Sequence, residues 1–265
     1  MSIQRVLFVN QEITPYLEVS HMSIIGRYLP QSIQEKGLDI RTFMPRFGII
    51  NERRNQLHGV IRLSGQNIII NDNDHTLILK VASIQSVRMQ TYFIDNEEYF
   101  KRRTMLHDKM GKFLPDNDER AIFYARGVIE TVKNLGWNPD VIHCHGWISC
   151  LVPLFIKKIY VDNPLFANSK VVYSIYNDSF DKTFRSLFSK LKSAGIPLKD
   201  SVLYKQATFE STMKLAVDYA DAVVISHKDV SEEIRSYVDH SQKLHFEHKE
   251  EQYGDDYLTL YNSII

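Results

Sequence analysis

Short apolar runs bounded by polar residues recur along the chain. Runs of this length and character are typical of strands that are buried on both faces of a parallel sheet. They predict five parallel strands, at residues 6–9, 40–44, 141–143, 171–175 and 222–225.

Helical periodicity fills several intervals between these runs. Met22, Ile25, Leu29 and Ile33 recur at three- and four-residue steps, and Gly37 follows as a helix end. Similar patterns predict helices at residues 121–135, 151–160 and 209–219. The alternation of strands and helices predicts a doubly wound, Rossmann-like α/β fold with a parallel sheet and right-handed crossovers.

The stretch from residue 60 to residue 95 follows a different pattern. Apolar and polar residues alternate around a polar turn at residues 71–74, which predicts an antiparallel hairpin inserted after the second strand. Residues 96–114 are charged and lack a strong period, so we expect a loop with a short helix. We predict one domain over residues 1–240 and a charged tail, residues 241–265, that forms a terminal helix or is partly ordered.

Composition narrows the class of protein. Of 265 residues, 44% are hydrophobic and 24% are charged, as in ordinary globular domains. The 32 Lys and Arg residues balance the 32 Asp and Glu residues, which argues against a nucleic-acid partner. Neither a signal peptide nor a bilayer-spanning run is recognisable, so we expect a cytoplasmic protein without membrane contact. Two cysteines in one segment predict no disulfide framework.

Motifs for common cofactors are missing from the sequence. No G-x-G-x-x-G follows the first strand, and no Walker A loop or G-x-S-x-G elbow occurs. The run His143-Cys144-His145, with Cys150 nearby, suggests zinc only weakly because no second ligand cluster supports it. We therefore expect neither a metal nor a cofactor. The basic clusters at residues 53–54 and 101–103 could hold phosphates or an acidic partner, or be solvated surface.

Polar and aromatic residues crowd the ends of three predicted strands. They are residues 10–12, 143–147 and 176–178. In open parallel sheets, ligands bind outside the carboxyl ends of the strands, near the point where the strand order reverses. A ligand cleft and simple capping of the sheet by these residues are both open interpretations at this stage.

Several longer segments form a recognisable series along the chain. They are Glu12-Ile-Thr-Pro15, Leu29-Pro30, residues 36–48, Asp118-Glu-Arg120, residues 135–145, Trp147, residues 151–153, and residues 219–223 followed by Ser226. In order and spacing, from about Arg5 to Tyr237, they resemble the opening of bacterial glycogen (starch) synthases. The resemblance implies that the chain is one half, the acceptor-side domain, of a GT-B fold.

Enzymes of that family transfer glucose from ADP-glucose to the non-reducing end of an α-1,4-glucan. The first domain mainly holds the glucan, and the second holds most of the nucleotide sugar. The resemblance implies a ligand cleft, with no residue assigned as catalytic, at Glu12, Asp116, Asn117, Arg120, His143, His145, Trp147 and Asn177.

Three positions depart from the family pattern. The family's Lys-x-Gly-Gly-Leu loop, which meets the donor phosphates, is Glu18-Val-Ser-His-Met22 here, so a carboxylate replaces the cation. Gly146 stands where the family has an aspartate, and Tyr176 stands where it has a histidine. We also expect the donor-binding domain to be absent from these 265 residues.

These departures predict a non-catalytic or partner-dependent role in glycogen metabolism. We expect binding of an α-glucan or malto-oligosaccharide, and no glucose transfer by the chain alone. One alternative is an active glucosyltransferase completed by a second chain. Another is a scaffold that binds a protein partner, or forms a homo-oligomer, through the former domain interface. Glu18 favours the first interpretation because a carboxylate repels phosphate.

Overall fold

The computed structural model describes residues 3–184, 186–197, 206–249 and 253–265. All five predicted parallel strands are present, each with the buried character that predicted it. The described residues form eleven strands in chain order: β1 Arg5–Asn10, β2 Asp39–Pro45, β3 His58–Gly59, β4 Asn67–Ile70, β5 Asn73–Thr76, β6 Ile78–Ile84, β7 Met89–Asp95, β8 Val141–His145, β9 Lys170–Ile175, β10 Ala222–Ile225 and β11 Leu244–Glu247.

Nine of these strands form one sheet, in the order β11-β10-β9-β8-β1-β2-β7-β6-β3. Pairing is parallel from β11 to β7 and antiparallel between β7, β6 and β3. The chain first builds outward from β1 through β2 and then returns to build the other half from β8. The strand order therefore reverses between β1 and β8, which confirms the doubly wound prediction and marks the usual place for a ligand.

Seven α-helices surround the sheet in the described residues. They are α1 His21–Glu35, α2 Asn117–Leu135, α3 Val152–Lys158, α4 Leu187–Ser193, α5 Phe209–Tyr219, α6 Glu232–His240 and α7 Asp255–Ile264.

Local sequence signals fix where the longer helices begin and end. Ser20 caps α1 through a reciprocal pair of hydrogen bonds with Ser23, and Thr208 caps α5 in the same way with Ser211. Gly136 ends α2 in the left-handed region, with a φ of 61°, where a side chain would be strained.

The predicted hairpin is confirmed. Strands β4 and β5 pair antiparallel, and the turn between them places Asn71 and Asp72 at positive φ, a conformation that these two residue types tolerate. The chain then crosses to β6, and β7 returns to pair in parallel with β2. The insertion thus adds a seventh parallel strand to the main sheet, which the sequence pattern did not predict.

The prediction of a short helix within residues 96–114 is wrong. Turns and bends fill this segment, and a single antiparallel bridge joins His107 to Phe113. Buried side chains hold it against α2, among them Tyr99 and Phe100, which contact Phe123 of that helix. The apolar residues in this segment serve as anchors for an irregular loop, so they lack helical spacing.

The described residues of the C-terminal segment, 241–249 and 253–265, are an integral part of the packing. Strand β11 extends the parallel sheet beyond β10, and α7 buries Tyr257, Leu260 and Tyr261. The helix also contacts α1, because Lys36 pairs with Asp255 at 2.6 Å and Ser32 donates a hydrogen bond to the Tyr253 carbonyl. This segment therefore covers one face of the sheet beside α1.

Candidate functional site

A cavity of about 200 Å³ opens at the carboxyl ends of β1, β9 and β10, in front of the first turn of α1. We call it the strand-end cavity. It is lined by Glu12, Ser20, His21, Met22, Tyr176, Asn177, Asp178 and His227.

Glu12 places a negative charge at the amino terminus of α1. The Ser20 hydroxyl donates to Glu12 Oε2 at 2.5 Å while accepting from the Ser23 amide, so carboxylate and helix cap form one unit. A helix amino terminus carries a partial positive charge that attracts anions. In this protein its own glutamate occupies the position in front of the helix.

His21, the first residue of α1, forms one wall of the cavity. Its Nε2 lies 2.6 Å from the Ser226 carbonyl oxygen, so that nitrogen donates a hydrogen bond to the carbonyl. The ring of His227 lies 5.3 Å away, edge on. Two imidazoles thus present polar edges to the cavity from neighbouring elements.

Asp178 supplies a second carboxyl group, three residues beyond the end of β9. Its Oδ2 accepts the Trp147 amide at 2.6 Å, which ties the end of β9 to the turn after β8. Burial raises the pKa of Asp178 to about 7, the Trp147 amide lowers it, and the nearby charge of Glu12 raises it. The carboxyl group therefore changes its charge near neutral pH.

Gly146 leaves no room for the aspartate of the family pattern. Its φ is +80°, and a Cβ atom there would lie 2.8 Å from Met22 Sδ and 2.9 Å from Gln11 Cβ. The acidic group beside this turn comes instead from Asp178 on the neighbouring strand end.

His143 and His145 lie below the cavity, inside the sheet face that α7 covers. His143 contacts the Tyr261 hydroxyl at 2.6 Å and the Ser174 hydroxyl at 2.8 Å, so both ring nitrogens are satisfied. His145 Nδ1 contacts the Tyr176 hydroxyl at 2.9 Å. Burial lowers the pKa of His143 well below its usual range and that of His145 to about 3, so both rings are neutral at pH 7.

Trp147 is a core residue. Its ring is 2% exposed and packs against Phe113, Phe180 and Phe184, while its indole N–H lies 3.2 Å from the Thr212 hydroxyl. Because the indole is enclosed, it presents no face to the strand-end cavity.

Asp116, Asn117 and Arg120 form a separate group at the start of α2. Asp116 pairs with Arg102, and Arg120 donates to the Asn117 side chain and to the Met105 carbonyl, each at 2.6 Å. Burial lowers the pKa of Arg120 to about 9. These contacts fasten the loop 96–114 to α2. Of the eight predicted cleft residues, the structure therefore brings only Glu12 and Asn177 together in the cavity.

The structure also adds residues to the predicted cleft. Asp178 and Tyr176 fall within a strand end that the sequence had marked, so position alone could have found them. His227 follows β10, whose end carried no polar signal strong enough to select it.

Potential metal ligands do not cluster here. Among the described residues, no group of three or more His, Cys, Asp or Glu is arranged to hold a metal ion. Cys144 and Cys150 are both buried free thiols, and burial raises their pKa values. In the same part of the chain, no helix has both the length and the apolar character needed to cross a membrane.

Comparison with known proteins identifies the family. The profile of the starch synthase catalytic domain matches residues 5–246. The chain belongs to this family. Glycogen synthase of Chlorobium limicola is 34% identical over 237 residues, and the match covers 87% of this chain and 47% of that protein. Glycogen synthase of Chlorobaculum tepidum is 41% identical over 174 residues, which cover 65% of this chain and 36% of that protein.

The fold agrees with a solved member of the family. The catalytic domain of starch synthase IV from Arabidopsis thaliana, bound to ADP and acarbose, superposes with a TM-score of 0.73 at 15% identity. The match covers 93% of this chain and 51% of that one. The chain thus has the fold of one half of a GT-B glycosyltransferase, and it spans about half the length of the curated relatives it matches.

Proposed function

We propose that this starch synthase family member acts in glycogen metabolism as a glucan-binding, acceptor-side half that does not transfer glucose from ADP-glucose on its own. The loop at residues 18–22 carries the proposal, because Glu18 stands in place of the family's lysine and Ser20 caps α1 while donating to Glu12. A donor phosphate would be stabilised by the partial positive charge at the amino terminus of α1. The Glu12 carboxylate already interacts with that end and repels a second anion.

The lining of the strand-end cavity suits a neutral sugar. It offers carboxyl oxygens, an exposed amide at Asn177 and imidazole nitrogens, but no Lys or Arg. Sugar hydroxyl groups both donate and accept hydrogen bonds, so they can satisfy such a mixed set without supplying charge. At about 200 Å³, the cavity is smaller than the range of about 300–1,000 Å³ typical of drug-sized ligands, which favours one sugar unit at a chain end.

The chemistry of transfer is poorly supported at the same place. Tyr176 is nearly fully buried, and its hydroxyl contacts His145. Burial raises the pKa of Tyr176 well above its usual value, so the hydroxyl stays protonated. The resemblance implies a lysine, an aspartate and a histidine near the transferred glucose, and Glu18, Gly146 and Tyr176 stand in their places. The charge stabilisation that such groups supply to the transition state is therefore missing here.

Calorimetry and amide chemical shifts test this proposal. We expect malto-oligosaccharides to bind at millimolar concentration and to shift the amides of Glu12, Asn177 and Asp178, and we expect ADP and ADP-glucose not to bind. Asn177→Ala should weaken glucan binding by about tenfold, because a buried ligand hydroxyl loses its partner. Asn134→Ala, on an exposed surface of α2, is the matched control.

A transfer assay separates the remaining alternatives. The purified chain should incorporate no labelled glucose from ADP-glucose into glycogen. Incorporation, or tight binding of ADP, would contradict the proposal and support an active transferase.

We also propose that a partner chain covers the exposed side chains of Val19 and Ile49, which are 75% and 47% exposed. Sedimentation of the purified chain, with and without Val19→Ser, would show whether that partner is a second copy.

A further inference from the structure

A second cavity lies on the other side of the segment that links β1 to α1. It encloses about 300 Å³ between Pro15 and Tyr16, the middle of α1, residues 54–56 and the turn between β6 and β7. We call it the arginine groove. Its polar lining consists of Tyr16, Arg27, Arg54, Asn55, Gln56, Ser83, Gln85 and Ser86.

The charged side chains that line this groove are all positive. It contains two guanidinium groups, Arg27 and Arg54, and no carboxylate. Within the described parts of the chain, neither arginine pairs with an acidic side chain within 4.0 Å. Glu18 lines an adjoining cavity that shares Arg54 with the groove. Because arginine stays protonated in proteins, the groove is cationic at every physiological pH.

Among the described residues, Arg27 has few acceptors for its donors. Its Nε is buried without a hydrogen-bond partner among the described residues, and its Nη2 makes one long contact, 3.5 Å, to the Ser86 hydroxyl. The ring of Tyr28 lies 5.2 Å from the guanidinium carbon and offers no strong acceptor. A buried donor left unpaired is unfavourable, so the groove is short of an acceptor, and an anionic acceptor would be the strongest.

Tyr16 shows that the charge of Arg27 acts across the groove. Burial raises the pKa of the Tyr16 hydroxyl, while the nearby Thr91 side chain and the positive charge of Arg27 lower it. The Tyr16 side chain therefore lies within the field of the guanidinium.

The two cavities on either side of the β1–α1 segment have opposite character. The strand-end cavity holds Glu12 and Asp178, whereas the groove holds Arg27 and Arg54. An anion excluded from the first therefore has a favourable site near the second. This contrast does not depend on whether the strand-end cavity binds a glucan.

We propose that the arginine groove binds a phosphate group, either as inorganic phosphate or as the phosphate of a phosphorylated sugar. The planar donor forks of two arginines match the oxygens of phosphate, and the hydroxyls of Ser83 and Ser86 supply neutral donors beside them. At about 300 Å³, the groove has room for more than the phosphate alone.

Titration of the full chain at low ionic strength tests this site. Inorganic phosphate, glucose 6-phosphate and unphosphorylated glucose are added in turn while the amide shifts of Asn55, Gln85 and Ser86 are followed. We expect both phosphates to bind in the millimolar range and glucose not to bind at these residues. Arg27→Gln and Arg54→Gln should each weaken phosphate binding by about tenfold, and the double variant should abolish it. Binding should weaken as salt is added.

Arg53→Gln is the matched control, since Arg53 is exposed and lies outside the lining. It should change the affinity less than twofold. Affinity unchanged in Arg27→Gln and Arg54→Gln would overturn the proposal, as would equal loss in all three variants or shifts confined to the strand-end cavity, at Glu12 and residues 20–22. Tighter binding of glucose 6-phosphate than of phosphate would assign the site to a phosphorylated sugar, and equal binding would assign it to phosphate itself.

Discussion

Two groups of histidines meet at the ends of the parallel strands, and they occupy opposite environments. His143 and His145 are fully buried beneath α7, and each contacts a tyrosine hydroxyl. His21 and His227 lie on the wall of the strand-end cavity, with their ring centroids 5.3 Å apart. One residue type therefore serves as core on one side and as candidate ligand on the other. What covers the side chain decides between these roles, and here the cover is the final helix.

Removing that cover should have the largest effect. Tyr261→Ala deletes a fully buried ring and leaves His143 Nδ1 without its partner, so we expect a loss of about 3–5 kcal/mol in the free energy of unfolding. Tyr261→Phe keeps the ring and should cost about 1–2 kcal/mol. Urea unfolding measures both. Equal losses in the two variants would show that ring packing contributes little.

The second largest effect should come from acid, which lowers the free energy of unfolding through the histidines whose pKa values the fold depresses. The half-buried His248 follows β11, and its Nδ1 lies 3.0 Å from the Tyr257 hydroxyl. The folded pKa values of His145 and His248 are lowered to about 3 and about 4, by burial first and then by a neighbouring histidine. Since an unfolded histidine has a pKa near 6.5, the unfolded state binds more protons below that value. Stability is therefore full above pH 6.5 and falls as the pH drops toward 4, by about 2 kcal/mol per histidine between pH 7 and pH 5.

Unfolding free energies at pH 7 and pH 5 check this dependence. His145 and His248 together account for one part of the stability lost between pH 7 and pH 5, and His248→Gln should remove about half of that part. His240 is exposed, so His240→Gln should leave the loss unchanged. Asp178 works in the opposite direction, because its raised pKa favours the folded state at low pH. A stability that does not fall between pH 7 and pH 5 would show that water reaches these rings in the folded state.

Gly146 lies between the two environments, and its substitution should have an intermediate effect. Gly146→Ala adds a Cβ atom at positive φ and against Met22 and Gln11, so we expect a loss of about 3 kcal/mol. Gly136→Ala shares the positive φ but meets nothing within 4 Å, and it should cost about 1 kcal/mol. Thermal unfolding of the pair isolates the steric part. Similar losses would mean that the turn after β8 can move aside.

The rim of the cavity should be the least sensitive to change. Ser20→Ala removes the cap of α1 and the donor to Glu12, and we expect a loss of about 1 kcal/mol. Thr208→Ala removes the equivalent cap of α5, where no carboxylate is attached. A larger loss for Ser20→Ala would mean that its hydrogen bond to Glu12 adds stability. A smaller loss would mean that Glu12 stabilises the helix end without the hydroxyl.

Much of the fold could be predicted because its determinants are local. Buried apolar runs such as Val171 to Ile175 predicted the strands. Helical spacing of apolar residues, with a glycine after the last turn, predicted α1 and α2. Strand β7 was missed as a parallel strand, because its partner β2 is distant in the sequence and its own hairpin neighbour β6 supplied the stronger pattern. The loop 96–114 was misjudged because anchors such as Tyr99 and Phe100 contact α2, which is distant from the pattern read within the loop.

The sequence by itself determined the doubly wound sheet, the family and the segments at which a cleft could form. These follow from hydrophobic period, turn residues and ordered motifs, all of which act over a few residues. Only the tertiary structure decided which polar residues share a cavity. It enclosed His143 under Tyr261, tied Arg120 to the loop 96–114, and brought Asp178 beside Glu12. Burial and the field of neighbouring charges depend on contacts between distant segments, so no local pattern encodes them.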